Sequence, residues 1–504
     1  MTKPKTLKRF TFISAVVSSI LLTVACSDPA GPNSAAYLVI YNANGATSGN
    51  VPTDSNSHQQ GAAVAVLGNS GTMVKTGCTF AGWNTAADGS GTSYAPGAMF
   101  SMGSADVTLY AVWAPIPTYT VTYNPNGGSG SVPADSSLYS QGAMVTVQGN
   151  IGNMSRTGCT FAGWNTQNDG SGGSFAAGAT FSMGSANVTL SAVWIPSTLR
   201  FVSSGISITI TGYTIAPTGL LAIPGGVTSI GARAFNNCTG LTGIIVPPGV
   251  TSIGDYAFAS CTALSTVMVS SSVTSIGEYA FLSCINLTGL TIPSSETSIG
   301  QHAFDSCYSL TSITVPSGVT SIAVGTFMNC LGLTSITIPS GVTTIDAYAF
   351  STCRSLTGIT LPSGITSVAV GAFLNCINLS GITLPDGVVS IGMYAFSGCS
   401  HLANITVLSH VSGIADFAFN ACASLTGITI PSGVTSIGKN AFYSCSNMSS
   451  VIVLAIQPPN LPWASKAFDG CASGLKIHVP SGTWAAYTSE ETAWSEYMSR
   501  IVSP

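Results

Sequence analysis

The residues of this sequence best equipped for chemistry are its 14 cysteines. Ten of them, Cys238, Cys261, Cys284, Cys307, Cys330, Cys353, Cys376, Cys399, Cys422 and Cys445, stand 23 residues apart without a slip. A row of thiols could hold metal, form disulfides or simply pack. Metal suits it poorly, because a ladder with one thiol per step offers no clustered tetrahedral set. The five histidines do not help, being scattered at His58, His302, His401, His410 and His478. Disulfides are open to an exported protein in an oxidising compartment. Thiols stacked at a strand spacing of about 4.8 Å would, however, hold parallel Cβ vectors slightly farther apart than a disulfide prefers. Free cysteine is a small and often buried hydrophobe. The spacing therefore favours a packed ladder, with sporadic disulfide pairs as the alternative. A serine placed in such a ladder would bury a hydroxyl without an evident partner.

No other constellation points to catalysis. There is no HExxH, no Walker-type loop, no nucleophile elbow and no CxxC. Acidic residues are sparse, which does not suit a paired-carboxylate glycosidase. NDGSGG (168–173) and ADGSG (87–91) lack the run of oxygen ligands of a calcium loop and read as Gly-rich turns. The expectation is a non-enzyme without a cofactor or bound metal.

The 504 residues imply several structural units. Only 6% are charged, against about 25% in ordinary soluble proteins. With 45% apolar residues, 20 Phe and 16 Tyr, the chain still has material for a core. The polar surface must come from hydroxyls and backbone amides. Four of the 13 basic residues, Lys3, Lys5, Lys8 and Arg9, open the chain, and without them the formal charge falls from -4 to -8. No basic patch is left for nucleic acid. The basic start is followed by an apolar run over 10–24 and then by Ala25-Cys26, an export signal too short to span a membrane comfortably. LTVAC resembles a bacterial lipoprotein processing site, with Thr23 where leucine is usual. The resemblance implies removal of 1–25 and lipidation of Cys26, followed by a tether over 26–36.

Residues 37–113 and 119–194 are copies: TGCTFAGWNT recurs intact, and Cys78/Cys159, Trp83/Trp164 and Trp113/Trp194 are each 81 apart. Alternating segments such as YTVTY and VTLYAVW, broken by Gly and Asn, predict β-strands. The copies resemble the internalin-type B repeat, or Listeria–Bacteroides repeat, through the Asn126-Gly127-Gly128 turn (degenerate as Asn44-Gly45-Ala46), Gly77, Phe80, Gly82 and Trp83 with their counterparts Gly158, Phe161, Gly163 and Trp164, and the terminal AVW. The resemblance implies two small β-grasp-like modules acting as a stalk. Cys78 and Cys159 stand where that family often has an aromatic residue, and are expected to be buried.

The 23-residue period predicts a solenoid. In L-x-x-I-x-I, Leu and Ile face inward from a short strand that proline ends. V-T-S-I predicts a second short strand, and A-F-x-x-C a short helical turn that points Phe and Cys inward. A single coil buries little, so stacking builds the core. The motif VTSIGxxAFxxCxxLTxIxIPSG resembles the BspA-like, or Treponema-type, leucine-rich repeat. The fold class is therefore mainly β: two β-grasp-like modules, a lead-in over 200–226, a solenoid of 23-residue coils over 227–450, and a cap over 451–504.

That resemblance implies an exported surface protein, anchored by lipid in the outer membrane or on the cell surface, that binds a protein or glycan of a host or neighbouring cell. The competing expectation is a structural coat component. Nothing in the sequence points to a homo-oligomer. Sequence freedom is greatest two places before the repeated Phe, in the column Arg233, Tyr256, Tyr279, His302, Gly325, Tyr348, Gly371, Tyr394, Phe417 and Asn440. Such a row offers either a partner-binding strip, with His302 exposed on it, or a cover for the flank of each coil. A second row, Thr291, Thr314, Thr337, Thr360, Thr383, Thr406 and Thr429, is expected to face outward from the strands. Aligned threonines occur in ice binding and in any stacked strand.

Overall fold

The computed structural model describes residues 35–294 and 298–503; the export segment and Cys26 lie outside them. Of these, the residues from 35 to 117 form one compact unit and those from 118 onward another.

In the first unit, a four-stranded sheet runs in the order Val39–Asn42, Val107–Pro115, Cys78–Asn84, Ser93–Tyr94. The first pair is parallel and the others antiparallel. The sheet is therefore mixed, built from the short strands that the alternating segments predict. Trp83 is fully buried with its edge against Tyr41, and its indole donates to the Leu67 carbonyl at 2.8 Å. A buried Trp can be accommodated only when that N–H is met. The second module repeats the sheet with Val121–Asn124, Val188–Pro196, Cys159–Asn165 and Ser174–Phe175. Cys78 and Cys159 are half-buried, not buried as expected. Each opens its strand opposite a proline, Pro115 or Pro196, at the end of the ladder, where the core no longer covers it.

A hairpin of Leu199–Ser204 and Ser207–Tyr213 leads into the solenoid, and its second strand pairs in parallel with Ser229–Ile230. The coils then stack in strict repeat register. Leu290, one of the inward-facing strand residues, pairs with Ile313, and Thr291 pairs with Thr314. The V-T-S-I segments form the second parallel stack, for example Ser252–Ile253 beside Ser275–Ile276. Hydroxyls complete the backbone bonding along the flank: Ser265 donates to Thr242, Thr311 to Thr288 and Thr334 to Thr311, each to a carbonyl one coil back at 3.1–3.2 Å. This is how so uncharged a chain satisfies its surface.

Inside, the repeated phenylalanines make one stack from Phe235 to Phe468, with neighbouring rings 5.3–5.7 Å apart. Tyr213 lies at its start, and Trp494 and Tyr497 close its end. The last two belong to a short 3-10 helix, Ala493–Arg500, preceded by the α-helix Trp484–Thr488. The Ala-Phe-x-x-Cys segment carries the three-residue hydrogen bonds expected of a helical turn: Ala234 N–H to Gly231, Asn236 to Arg233 and Cys238 to Phe235. It does not run on as regular helix, because the intervening N–H groups of Arg233, Phe235 and Asn237 donate to Asp255, Ala257 and Ala259 of the next coil. The turns thus alternate bonds within a coil with bonds between coils.

The second module is part of this core. Ala162, Val193 and Ile195 belong to the same buried cluster as the first coils. The Ser174 hydroxyl donates to the Gly226 carbonyl at 2.7 Å, and the Gly226 N–H donates to Gly170 at 3.1 Å. Only glycine fits at 226, where a Cβ would lie 2.6 Å from a Val193 methyl at φ +90°. The corresponding residues of the first module, Ala81, Gly89 and Ser93, are exposed, and Val112 and Ala114 are half-buried. The expected two-module stalk is therefore corrected: the second module closes the N-terminal end of the solenoid.

Candidate partner-binding column

The turns place the variable column in an unusual backbone conformation. Arg233, Tyr256, Tyr279, His302, Tyr348, Tyr394, Phe417 and Asn440 all have φ between +52° and +59°, and Gly325 and Gly371 share it at +60° and +58°. Each is the third residue of a turn such as 231–234, the position at which a type II turn requires positive φ. Left-handed geometry costs an L-residue about 1–2 kcal/mol. The coil imposes it because the column N–H must reach the next coil: Tyr256 donates to Glu278, and His302 to Val324, both at 2.9 Å.

Fixed in this way, the side chains stack. The Arg233 guanidinium lies 5.1 Å from the Tyr256 ring centre. Tyr256 stacks on Tyr279 at 4.7 Å, and Tyr279 on His302 at 4.8 Å with only 2° between their planes. Tyr394 stacks on Phe417 at 4.8 Å. Arg233 is exposed and the others are half-buried. His302 is thus not the exposed residue expected, since stacking covers one face and its Nδ1 lies 3.0 Å from Asp305 Oδ2. The other Asp305 oxygen accepts from Ser306 and Asn329. The structure therefore brings Arg233 to His302 together as one run and Tyr394 with Phe417 as another. Tyr348 stands between them, separated by Gly325 and Gly371, and Asn440 follows the second run.

The threonine row is exposed throughout, as expected. The 10 array cysteines are free and fully buried. Burial pushes the Cys261 and Cys376 thiols up to about 12, and holds Cys330 and Cys353 well above the ordinary value. Neutral thiols of this kind are poor nucleophiles and poor metal ligands. Among the described residues, no group of three or more His, Cys, Asp or Glu is placed to hold a metal ion. In the Gly-rich turns, Asp88 and Asp169 are occupied by Ser90 and Ser171, whose hydroxyls and N–H groups lower both carboxyl pKa values.

These features define a leucine-rich repeat solenoid with a β module at its N-terminal end. Residues 218–334 and 320–449 match the BspA type leucine rich repeat region, and residues 37–112 and 119–193 match the Listeria-Bacteroides repeat domain. The array is thus similar to the BspA type repeat. One relative from Evansella cellulosilytica, provisionally labelled a Gly-rich membrane protein, is 41% identical over 164 residues, or 31% of this chain and 18% of its own. The chain thus spans under a fifth of that relative's length. Among solved structures, a leucine-rich repeat protein from Bacteroides ovatus is 23% identical and covers 62% of this chain and 99% of its own, with a TM-score of 0.40. A leucine rich cell surface protein from Faecalibacterium prausnitzii is 28% identical and covers 58% of this chain and 97% of its own, with a TM-score of 0.37.

Proposed function

We propose that the chain is a lipid-anchored surface protein whose solenoid binds a protein or glycan partner of another cell. The reading rests on one observation: the column whose side chains are largest and most varied is also a stacked, half-exposed row held rigidly by the coils. Rigid aromatic area is what binding hot spots use, because little side-chain entropy is lost on contact. Cys26 would carry the anchor, and the first module would act as the spacer.

Two experiments test this reading. Clickable fatty acid should label the wild-type protein in cells but not Cys26→Ala; wild-type protein released unlabelled would remove the anchor. In a screen of the purified chain against host matrix proteins and intact cells, joint replacement of Tyr256, Tyr279, Tyr348 and Tyr394 by Ala should cost about 2 kcal/mol or more, some 30-fold in affinity. Unchanged affinity in a normally folded variant would move the search to Thr314, Thr337 and Thr360. A wild-type chain that binds nothing in the screen would favour the structural coat component.

A further inference from the structure

The coil after Cys445 departs from the repeat. Cys471 follows it by 26 residues instead of 23, and the stretch AIQPPNLPWAS (455–465) stands where other coils carry PSGVTSIG. Proline cannot donate to a ladder, and this stretch meets the V-T-S-I stack through the Asn460–Ser436 bridge. The 3-10 helix pins it. The Trp494 indole donates to the Pro459 carbonyl at 2.7 Å, and the Ala464 N–H donates to Glu496 Oε1 at 2.9 Å. Between the pinned stretch and residues 491–494 lies a recess of about 440 Å³. Small-ligand sites span about 300–1,000 Å³.

Three side chains on this recess have polar groups to spare. Five of the seven tryptophans donate their indole N–H to a backbone carbonyl. Trp463 instead is 58% exposed, and its N–H has no partner among the described residues. The Glu491 carboxylate and the Asn460 side-chain amide belong to residues lining the same recess. Both residues are exposed, and both groups likewise lack a partner among the described residues. Leu461 and Trp494 beside them are buried and give the recess its apolar lining. No Lys, Arg or His lines it.

We propose that the recess binds a neutral sugar ring of a glycan, stacked on Trp463. The C–H face of a pyranose presents partial positive charge to the electron-rich face of an indole. Each sugar hydroxyl both donates and accepts. One ligand can therefore meet a carboxylate that only accepts, an indole N–H that only donates and an amide that does both. Other classes fail on one of these groups. A phosphate or an acidic sugar would face Glu491 with no cation in the lining to offset it. An apolar side chain would strip water from the carboxylate and the amide without replacing its bonds. A quaternary ammonium would satisfy Glu491 but leave the indole and amide donors unmet. The site lies in the cap and rests on none of the column's residues.

The test uses the full chain, titrated with neutral oligosaccharides of glucose, mannose, galactose and N-acetylglucosamine. Oligogalacturonate serves as the acidic counterpart and choline as the small cation. At least one neutral series should bind, and the other two probes should not. Trp463→Ala removes an exposed ring, so melting should stay near wild type while sugar affinity falls about tenfold or more. Trp463→Tyr, which keeps a ring, should recover most of that loss. Glu491→Gln should weaken binding severalfold, because it exchanges a charged acceptor for a neutral one. The variant lacking Tyr256, Tyr279, Tyr348 and Tyr394 should bind the sugar as wild type does. No neutral sugar bound, full affinity in Trp463→Ala, or a preference for oligogalacturonate or choline would overturn the proposal. Sugar binding lost with the four tyrosines but kept in Trp463→Ala would also overturn it, and would leave the column reading standing.

Discussion

The thiol of Cys330 donates to the carbonyl oxygen of Phe304, 3.2 Å away in the preceding coil. The same bond joins Cys353 to Phe327 and Cys376 to Phe350 at 3.1 Å. Phe304 also accepts the N–H of Cys307 at 3.2 Å. The cysteine ladder is therefore both packing and hydrogen bonding: from Cys261 to Cys445 each thiol adds a second donor to a phenylalanine carbonyl already engaged inside its own turn. This explains a small residue with a weak donor at every coil.

The two-donor carbonyl sets the expected cost of mutation. Cys330→Ala leaves Phe304 its Cys307 partner and removes one small group, so it should cost about 1 kcal/mol by urea unfolding. Cys330→Ser keeps a donor within reach of the same carbonyl. Its cost should be close to that of alanine, and not larger as the sequence alone suggested. A serine penalty above about 3 kcal/mol would show that the thiol's size matters and its bond does not. Thiol counting under denaturing, non-reducing conditions should find the 10 array cysteines free.

Alkaline pH should unfold the solenoid. Burial raises the folded-state pKa of the array thiols from Cys238 to Cys422, to about 12 at Cys261 and Cys376, from an ordinary value of 9.0. Below pH 9 both states keep their protons and the full stability is present. As pH rises from 9 towards 12, the unfolded chain ionises and the folded one does not, so stability falls by about 1.4 kcal/mol per thiol per pH unit. Melting should be flat from pH 7 to 9 and drop steeply above it. Cys330→Ala should lessen the slope by one thiol's share; an unaltered slope would place the alkaline transition on other groups.

The second module should be inseparable from the array. A fragment starting at residue 200 loses Leu199, Ile195 and Val193, all buried against the first coils. It also frees the Gly226 N–H and C=O that Gly170 and Ser174 satisfy. An open solenoid end with bare strands invites association. A 118–504 fragment should melt like the solenoid of the whole chain, while a 200–504 fragment should melt lower and aggregate. Equal melting of the two would show that the module only rests on the array.

The solenoid was legible because one motif recurs ten times at a constant spacing, and each position in it can be assigned a face from strand periodicity alone. The fusion of the second module was not, since its sheet is nearly identical to that of the first. Its marks are two substitutions, Ile195 where the first copy has Ala114 and Ser191 where it has Tyr110, and both make sense only against a neighbour. The column was legible as variable but not as left-handed. Tyr, His and Phe conceal that conformation, because positive φ is ordinarily signalled by Gly or Asn. The signal was nonetheless present in Gly325, Gly371 and Asn440, which occupy the same place in the repeat. Tertiary hydrogen bonding between coils overrode the local preference.

That conflict gives a direct test of the column backbone. At Gly325, φ is +60° and the His302 ring lies where a Cβ would go. Asparagine tolerates the left-handed region, and the imidazole is the far end of a side chain that can shift back towards Tyr279. A β-branched residue is different, because its second γ atom crowds the backbone at positive φ. Gly325→Asn should therefore cost under about 1 kcal/mol, with the His302 ring resonance displaced in NMR spectra. Gly325→Val should cost roughly 2–3 kcal/mol, as strain at a special backbone position does. Equal losses for the two would mean that contact with His302, and not the left-handed backbone, governs the site; the column's φ values would then exert no selection on the residues found in it.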